Sequence, residues 1–163
     1  MNNGNRKIVL GLGNTLNRDE GLGVHALKVL EETLGHSYGE QIPVELLDGG
    51  TLGLNLLMLV EEASHLLVLD AINAGKPPGT LIELGMDDIP LYRGIKMSEH
   101  QVSFQEVLGL AKIRDKFPKH LHLIGVQPAD ISIGIEPSSE IRAMFSTVVA
   151  RSIACLNDWG LLV

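Results

Sequence analysis

The sequence has little of several things that mark particular classes of protein. Its 163 residues include one cysteine, Cys155, so no internal disulfide can form and a reducing compartment is expected. Aromatic residues make up only 4% of the chain, which argues against base-stacking platforms for nucleic acid. The formal net charge of −7 argues the same way, because nucleic-acid binding needs a cationic surface.

Long hydrophobic runs are also lacking. The longest near-apolar stretches, 52–60 and 66–69, fall well short of the roughly 20 residues that a membrane span needs. Residues 1–7 are polar and lack the apolar core of a secretory signal. These absences predict a cytoplasmic protein without a membrane or nucleic-acid partner.

What is present is an alternation of apolar strand-like runs with helical patterns. Strands are predicted at 7–11, 44–48, 66–72, 80–84 and 120–126, and helices at 24–34, 52–63, 104–111 and 137–159. The link 73–79 is too short for a parallel crossover, so the strand that follows it should run antiparallel. We therefore expect a single domain over residues 1–163, an α/β fold with a three-layer α/β/α sandwich. Its five-stranded sheet should be mostly parallel, with one antiparallel strand.

Three of the helices carry further expectations. The first should stop at Gly35. Residues 52–63 are apolar nearly all round, which predicts a deeply packed helix. Residues 137–159 predict one long amphipathic helix, since Pro137 suits a first turn and Gly160 an end.

The loop after the first strand, residues 11–23, is rich in glycine, as nucleotide-binding loops are. Leu16 stands where the dinucleotide-binding pattern needs its third glycine, so that pattern fails. The loop also carries two acids, Asp19 and Glu20, where a phosphate would need bare amides. Of these, Glu20 is the candidate functional residue and Asp19 the structural neighbour. A nucleotide-binding module stays open as a minor hypothesis.

Acidic residues follow three of the predicted strands. Glu20 lies after the first strand, Asp48 ends the second, and Asp70 lies near the end of the third. In open α/β folds, ligands bind where the parallel strands end. Two carboxylates there, joined by His100 from the loop 96–101, would suit a divalent metal such as zinc or nickel.

Each of these residues also has a purely structural interpretation. Asp48 could cap a helix near Thr51, and Glu20 could favour a helix dipole. His100 taken alone would be a solvated loop histidine. Asp70 fits a structural role least well, because a carboxylate inside an apolar strand is costly unless it is paired or functional.

Other reactive side chains are weaker candidates. His120 and His122 alternate on one strand, as in some metal sites, but residues that flank a buried strand give the same pattern. Cys155 lies in an apolar helical pattern typical of inert core thiols. The remaining histidines occupy predicted helix surfaces or loops: His25, His36 and His65.

Five short segments, taken in order, resemble the hydrogenase maturation endopeptidases. They are Gly-Leu-Gly-Asn at 11–14 with Asp-Glu-Gly-Leu-Gly at 19–23, Leu-Asp-Gly-Gly-Thr at 47–51, Leu-Asp-Ala at 69–71, Lys-Met-Ser-Glu-His-Gln at 96–101 and Leu-Ile-Gly-Val-Gln-Pro at 123–128. Each match is weak alone. The ordered set is specific and spans nearly the whole chain.

The resemblance implies both an activity and a site. Members of this family remove a short carboxy-terminal extension from the large-subunit precursor of nickel–iron hydrogenase after nickel has been inserted. The family's metal-contacting residues fall on Glu20, Asp70 and His100. The family is commonly grouped with aspartic peptidases, and its nickel arrives with the substrate rather than as a resident cofactor. The histidine segment resembles that of the enzymes for uptake-type hydrogenases.

Together, the resemblance and the residues give a mechanistic hypothesis. Asp70 is the candidate general base, and nickel would polarise the water or the scissile carbonyl. Gly49, Gly50 and Thr51 form the candidate substrate-binding segment, whose glycine amides would donate to an oxyanion or to the substrate backbone.

Two other functions stay open. A non-catalytic chaperone that checks nickel in the same precursor would need the same three contacts. A peptidyl-tRNA hydrolase also begins with a Gly-x-Gly-Asn loop, but it needs a cationic face and a differently placed histidine.

Overall fold

The computed structural model describes residues 4–51, 53–89 and 99–163, and the side chains of residues 99–103 lie outside that description. The strands are β1 (Arg6–Leu12), β2 (Glu45–Gly50), β3 (Ala63–Ala71), β4 (Leu81–Gly85) and β5 (His120–Val126). The helices are α1 (Leu22–Tyr38), α2 (Leu57–Glu62), α3 (Glu99–Ile113), α4 (Ser139–Arg142) and α5 (Phe145–Asp158). Short 3-10 helices at Arg18–Gly21 and Gly53–Leu56 precede α1 and α2.

The sheet has five strands in the order β2-β1-β3-β5-β4. The pairs of β1 with β2, β1 with β3 and β3 with β5 are parallel, and only β4 runs antiparallel, against β5. The predicted fold class is therefore confirmed, including the antiparallel strand at one side of the sheet. The short link 73–79 produces this reversal, since it leaves no room for a crossover helix.

Two apolar cores cover the two faces of the sheet. Side chains alternate along β3, so that Leu66 and Val68 pack with α2 and α3, while Leu67 and Leu69 pack with α1 and α5. Both faces of this central strand are buried, as a parallel strand between two helical layers requires. Within the part of the chain that the structure describes, none of the helices is long and apolar enough to cross a membrane.

The first helix differs from the prediction at its end. It does not stop at Gly35 but continues to Tyr38, and the amide of Gly39 still donates to the carbonyl of Gly35. Glycine inside a helix costs only about 1 kcal/mol, which the buried apolar face of this helix offsets. Gly39 ends the helix because it adopts a left-handed backbone with φ of +60°.

The prediction of a deeply packed helix over 52–63 is wrong. A 3-10 turn leads into α2, which has only six residues, and the chain enters β3 at Ala63. Leu56 and Val60 are buried, whereas Leu54 and Met58 are 62% and 65% exposed. Only one side of this segment meets the core.

The long helix predicted over 137–159 is divided into two. Helix α4 ends at Arg142, and α5 begins at Phe145 and ends at Asp158. Each part buries its own apolar residues on the α1 side of the sheet, among them Ile141 and Val148. Gly160 follows α5 with φ of +70°, so the predicted end of the segment is confirmed.

Candidate active site

The parallel strands β1, β2, β3 and β5 all end at one edge of the sheet, which we call the carboxyl edge. Gly11 of β1 lies in register with Asp48 of β2 and with Leu69 of β3. Asp70, one residue further along β3, lies opposite Gly125 of β5. The strand register thus places Asp48 and Asp70 at the carboxyl edge, within one step of each other along the strands.

Asp70 is buried at the end of the central strand, with 1% of its surface exposed. It continues the alternation of Leu66 and Val68 and therefore belongs to the side of the sheet that α2 and α3 cover. Its Oδ1 accepts a hydrogen bond of 2.8 Å from the amide of Ala71. This bond fixes the orientation of the carboxylate, which a site for chemistry requires.

Glu20 lies on the 3-10 helix Arg18–Gly21, which packs against β3, and its side chain is half-buried. The glycine-rich loop brings it there. Gly13 has φ of +132°, and a Cβ at that position would lie 1.8 Å from the carbonyl oxygen of Glu20. Gly23 makes an equally close approach, since its Cβ would lie 2.1 Å from the carbonyl oxygen of Leu69. The glycines therefore fold this loop against β3 instead of cradling a phosphate.

Asp19 has a structural role, because its carboxylate accepts hydrogen bonds from a distant part of the chain. Its side chain is fully buried, and Oδ2 accepts bonds of 2.8 Å from the amides of Ala129 and Asp130 and from Oγ of Ser138. Oδ1 accepts a bond of 2.7 Å from the amide of Ser138. We call this arrangement the Asp19 clamp. It ties the segment that follows β5 to the helix that carries Glu20.

His100 lies on the first turn of α3 and not in a loop. Helix α3 leads into β5 through a short connection and packs back on the sheet, so it runs opposite to β5 and begins near the carboxyl edge. It covers the same face of the sheet to which Asp70 belongs. The start of α3 thus lies toward the carboxyl edge, where Asp70 also lies, while the side chain of His100 and residues 96–98 lie outside the described residues.

The ligand set Glu20, Asp70 and His100 stays a prediction. Among the side chains that the structure describes, a group that excludes His100, no three from His, Cys, Asp and Glu could hold a metal ion. The backbone topology is what supports the set.

The structure changes one interpretation near the segment Gly49-Gly50-Thr51. Asp48 is exposed, and its Oδ1 accepts a bond of 2.9 Å from the amide of Gly50. Asp48 therefore closes a turn within its own segment rather than capping a helix near Thr51. The Gly50 amide already has this partner and Gly49 is buried within β2, so a substrate contact by this segment stays a prediction. Thr51 is exposed beside it.

A glutamine to which the sequence alone assigns no role lies next to this site. Gln127 is 7% exposed, and its Oε1 accepts bonds from the amides of Ala74 at 2.7 Å and Lys76 at 3.2 Å. Its Nε2 donates to Oδ1 of Asn73 at 3.1 Å. Gln127 thus holds the loop that follows Asp70. The Gly-Val-Gln-Pro match at the end of β5 is the signal in the sequence that could have indicated it.

The histidines of β3 and β5 lie away from the carboxyl edge. His65 and His120 are partners at the beginning of β3 and β5, and their rings stack with centroids 4.3 Å apart. His122 contacts Oε1 of Glu83 at 3.2 Å. Cys155 is buried, and burial raises the pKa of its thiol to about 11, which agrees with an inert core thiol.

A cavity of about 620 Å³ also lies at the opposite edge, beside the first residues of β1. Its lining includes Arg6, Glu61, Glu62 and Lys116. Arg6 bonds to Glu62 at 2.7 Å, and Lys116 lies 3.9 Å from Glu61. These charges are paired with one another and far from Asp70 along the strands, so this cavity is not the candidate site.

The fold and its acidic edge define a class, an α/β protein with a carboxylate site where its parallel strands end. The family model for hydrogenase maturation proteases (HycI) matches residues 27–154, a range that begins after Glu20 and includes Asp70 and His100. The chain belongs to the hydrogenase maturation protease family.

Individual relatives agree with that assignment. The chain is 41% identical to the hydrogenase expression/formation protein HupD of Bradyrhizobium diazoefficiens, over 98% of this chain and 82% of that protein. It is 36% identical to the hydrogenase 2 maturation protease of Escherichia coli, over 95% and 93% of the two chains. The structure of the Escherichia coli hydrogenase maturating endopeptidase HybD superposes with a TM-score of 0.85 at 34% identity, covering 96% of this chain and 94% of that one.

Proposed function

We propose that this protein is an endopeptidase that removes the carboxy-terminal extension of a nickel–iron hydrogenase large-subunit precursor after nickel insertion. Membership of the protease family supports a hydrolytic activity on a polypeptide. The observation that carries the proposal is the carboxylate of Asp70, buried at the end of the central parallel strand beside the helix of Glu20. The family assignment does not favour the alternative of a peptidyl-tRNA hydrolase.

The nickel in this proposal belongs to the substrate, because it arrives in the precursor, and we propose no tightly bound resident metal. Glu20, Asp70 and His100 would contact this nickel and so hold the nearby peptide bond at the carboxyl edge. Carboxylate oxygens and an imidazole nitrogen suit a borderline divalent ion. The same three contacts would make cleavage depend on nickel, because a precursor without the metal would lack its anchor.

Hydrolysis then requires a base for the attacking water and donors for the oxyanion. We assign the base to Asp70, whose orientation the Ala71 amide fixes. Gly49, Gly50 and Thr51 remain our candidate substrate-binding segment, whose glycine amides would donate to the oxyanion or to the substrate backbone. A cytoplasmic location, where unprocessed precursor would be met, is part of the same proposal.

Incubation of the purified protein with nickel-loaded precursor, followed by mass spectrometry, tests the activity. We expect a shortened large subunit with nickel and an unchanged mass without it. In Asp70→Asn the cleavage rate should fall about 100-fold or more, as loss of a general base requires. The matched control is Asp87→Asn, a change to an exposed acid in the turn after β4, which should cleave within about threefold of wild type.

Two results would contradict parts of this proposal. An unchanged mass together with a stable complex would make the protein a nickel-checking chaperone instead of a protease. Cleavage by Asp70→Asn at the wild-type rate would remove Asp70 from the mechanism and leave the protease assignment intact.

A further inference from the structure

Four large aliphatic side chains are exposed in two segments that are bonded together at the carboxyl edge. They are Leu16 at 62%, Ile131 at 52%, Ile133 at 86% and Ile135 at 71% exposed, and we call them the apolar rim. Single exposed aliphatic residues are ordinary, but several in neighbouring positions mark an interaction surface. The rim lies outside both apolar cores of the fold.

Backbone bonds join the two segments of the rim. The amide of Gly134, which lies between Ile133 and Ile135, donates to the carbonyl of Leu16 at 2.9 Å. The carbonyl of Gly134 accepts from the amide of Arg18 at 3.0 Å. Leu16 therefore lies beside residues 131–135, which we call the isoleucine segment, and the four residues occupy one region of the surface.

The isoleucine segment is also anchored at both ends. The Asp19 clamp holds Ala129 and Asp130 on one side and Ser138 on the other. Within the segment, the side-chain amide of Asn17 donates to the carbonyl of Ile131 at 3.1 Å. A backbone held in this way loses little freedom when a partner binds, so the buried apolar area contributes directly to affinity.

The rim is continuous with the proposed active site. Leu16 lies four residues before Glu20, and the clamp residue Asp19 is the direct neighbour of Glu20 on the same 3-10 helix. A polypeptide whose cleavage site reaches Glu20 comes close to Leu16, because Leu16 precedes the helix that carries Glu20. The substrate is thus the partner that the position of the rim favours.

The charges around the rim indicate the chemistry of that partner. Asp130 and Glu136 lie in the same segment, and both are exposed. The guanidinium of Arg18 is engaged, with Nε 3.7 Å from Oδ2 of Asp130 and Nη1 3.3 Å from the carbonyl of Glu136. An acidic border of this kind attracts cations and repels acidic surfaces.

We propose that the apolar rim docks the hydrogenase large-subunit precursor through an apolar surface of the precursor that is bordered by lysine or arginine. This inference rests on the proposed function, since it names how the substrate of that site is held. Docking contacts persist unchanged from the bound substrate to the transition state, so their loss should raise KM and leave kcat unchanged.

The double variant Ile133→Ser/Ile135→Ser tests the proposal with nickel-loaded precursor. We expect its KM to rise about tenfold or more at an unchanged kcat, since two exposed aliphatic side chains lose their buried contact. Glu136→Lys should raise KM as well. The matched control is Ile113→Ser at the end of α3, which is 83% exposed but lies toward the opposite edge, and its KM should equal that of wild type.

A separate titration measures the binding of precursor by the wild type and the double variant, each also carrying Asp70→Asn so that the precursor is not cleaved. This measurement distinguishes the two proposals. If wild type cleaves but the double variant keeps its KM and its affinity, the rim is not a docking surface and the proposed function stands. If wild type does not cleave, the proposed function falls, and weaker binding by the double variant would still support the rim. If sedimentation shows a wild-type dimer that the double variant dissociates, the occupant is a second copy of this chain and the proposal is overturned.

Discussion

At the scale of single residues, two adjacent acids in one loop have different roles because their surroundings differ. Asp19 is fully buried and satisfied by three amides and a hydroxyl. Glu20 is half-buried on the turn that faces the carboxyl edge. An acid with four donors is fixed in place, whereas its neighbour stays our candidate contact for the nickel of the substrate.

Replacing Asp19 should show how much the clamp contributes. In Asp19→Asn the carboxylate loses its charge and one acceptor oxygen, while the amides that bonded to it stay buried. We expect the free energy of unfolding to fall by about 2–3 kcal/mol, measured by urea denaturation. Cleavage should also slow, because the segment 129–138 and the helix of Glu20 lose their common anchor.

The control for this prediction is Asp130→Asn. Asp130 is an exposed acid in the same segment, where its Oδ1 accepts from Ser132 and its Oδ2 lies 3.7 Å from Nε of Arg18. Its replacement should leave the urea midpoint unchanged. An Asp19→Asn protein as stable as Asp130→Asn would show that the clamp has no energetic role.

At the scale of elements, periodicity predicts strands better than the ends and packing of helices. Strand β5 has the predicted bounds, since an apolar run leaves little choice of where a buried strand lies. The prediction for segment 52–63 fails because composition does not reveal which side meets the core, and Leu54 and Met58 face outward. Helix α1 passes Gly35 because its buried face outweighs one glycine.

The candidate site is predictable for the same reason that the sheet is. Glu20, Asp48 and Asp70 follow parallel strands, and parallel strands end together. The Asp19 clamp and the segment 129–138 are not predictable, because these contacts join residues more than 100 positions apart in the chain. A buried hydrogen-bonded acid has no local signature in the sequence.

Replacing the two glycines at the end of α1 by alanine should have opposite effects on stability. A Cβ at Gly35 would meet nothing within 4 Å, so Gly35→Ala should stabilise the protein by about 0.5–1 kcal/mol through helix propensity. Gly39 has φ of +60°, so Gly39→Ala should destabilise it by about 1 kcal/mol. Thermal unfolding of both variants would check the signs. Equal shifts for the pair would mean that the helix does not end at Gly39.

At the scale of the whole molecule, the two edges of the sheet carry different kinds of groups. The carboxyl edge holds the candidate site and the apolar rim. The opposite edge holds paired charges, such as Arg6 with Glu45 at 2.6 Å, and the stacked rings of His65 and His120. Two groups at the opposite edge, His65 and Glu45, have shifted pKa values and therefore contribute to how stability depends on pH.

The pKa shifts at that edge set the sign of this dependence. Burial, the neighbouring His120 and the cations Lys7 and Lys119 lower the pKa of His65 below its ordinary value of 6.5. The hydrogen bond from Arg6 lowers the pKa of Glu45 below its ordinary 4.5. In both cases the unfolded chain takes up a proton at a higher pH than the folded protein. Acidification therefore favours unfolding, first below pH 6.5 and again below pH 4.5.

The loss of stability below pH 6.5, which we assign to histidine protonation, can be tested by itself. Urea unfolding of the wild type, followed by the fluorescence of Trp159, should show a falling free energy of unfolding as the pH is lowered through 6.5. His65→Gln should reduce that slope without abolishing it, because burial and Lys28 also lower the pKa of His25. The exposed His36 supplies the control, and His36→Gln should keep the wild-type slope. A His65→Gln protein with the full wild-type slope would show that the stacked histidine pair does not govern acid stability between pH 6.5 and 4.5.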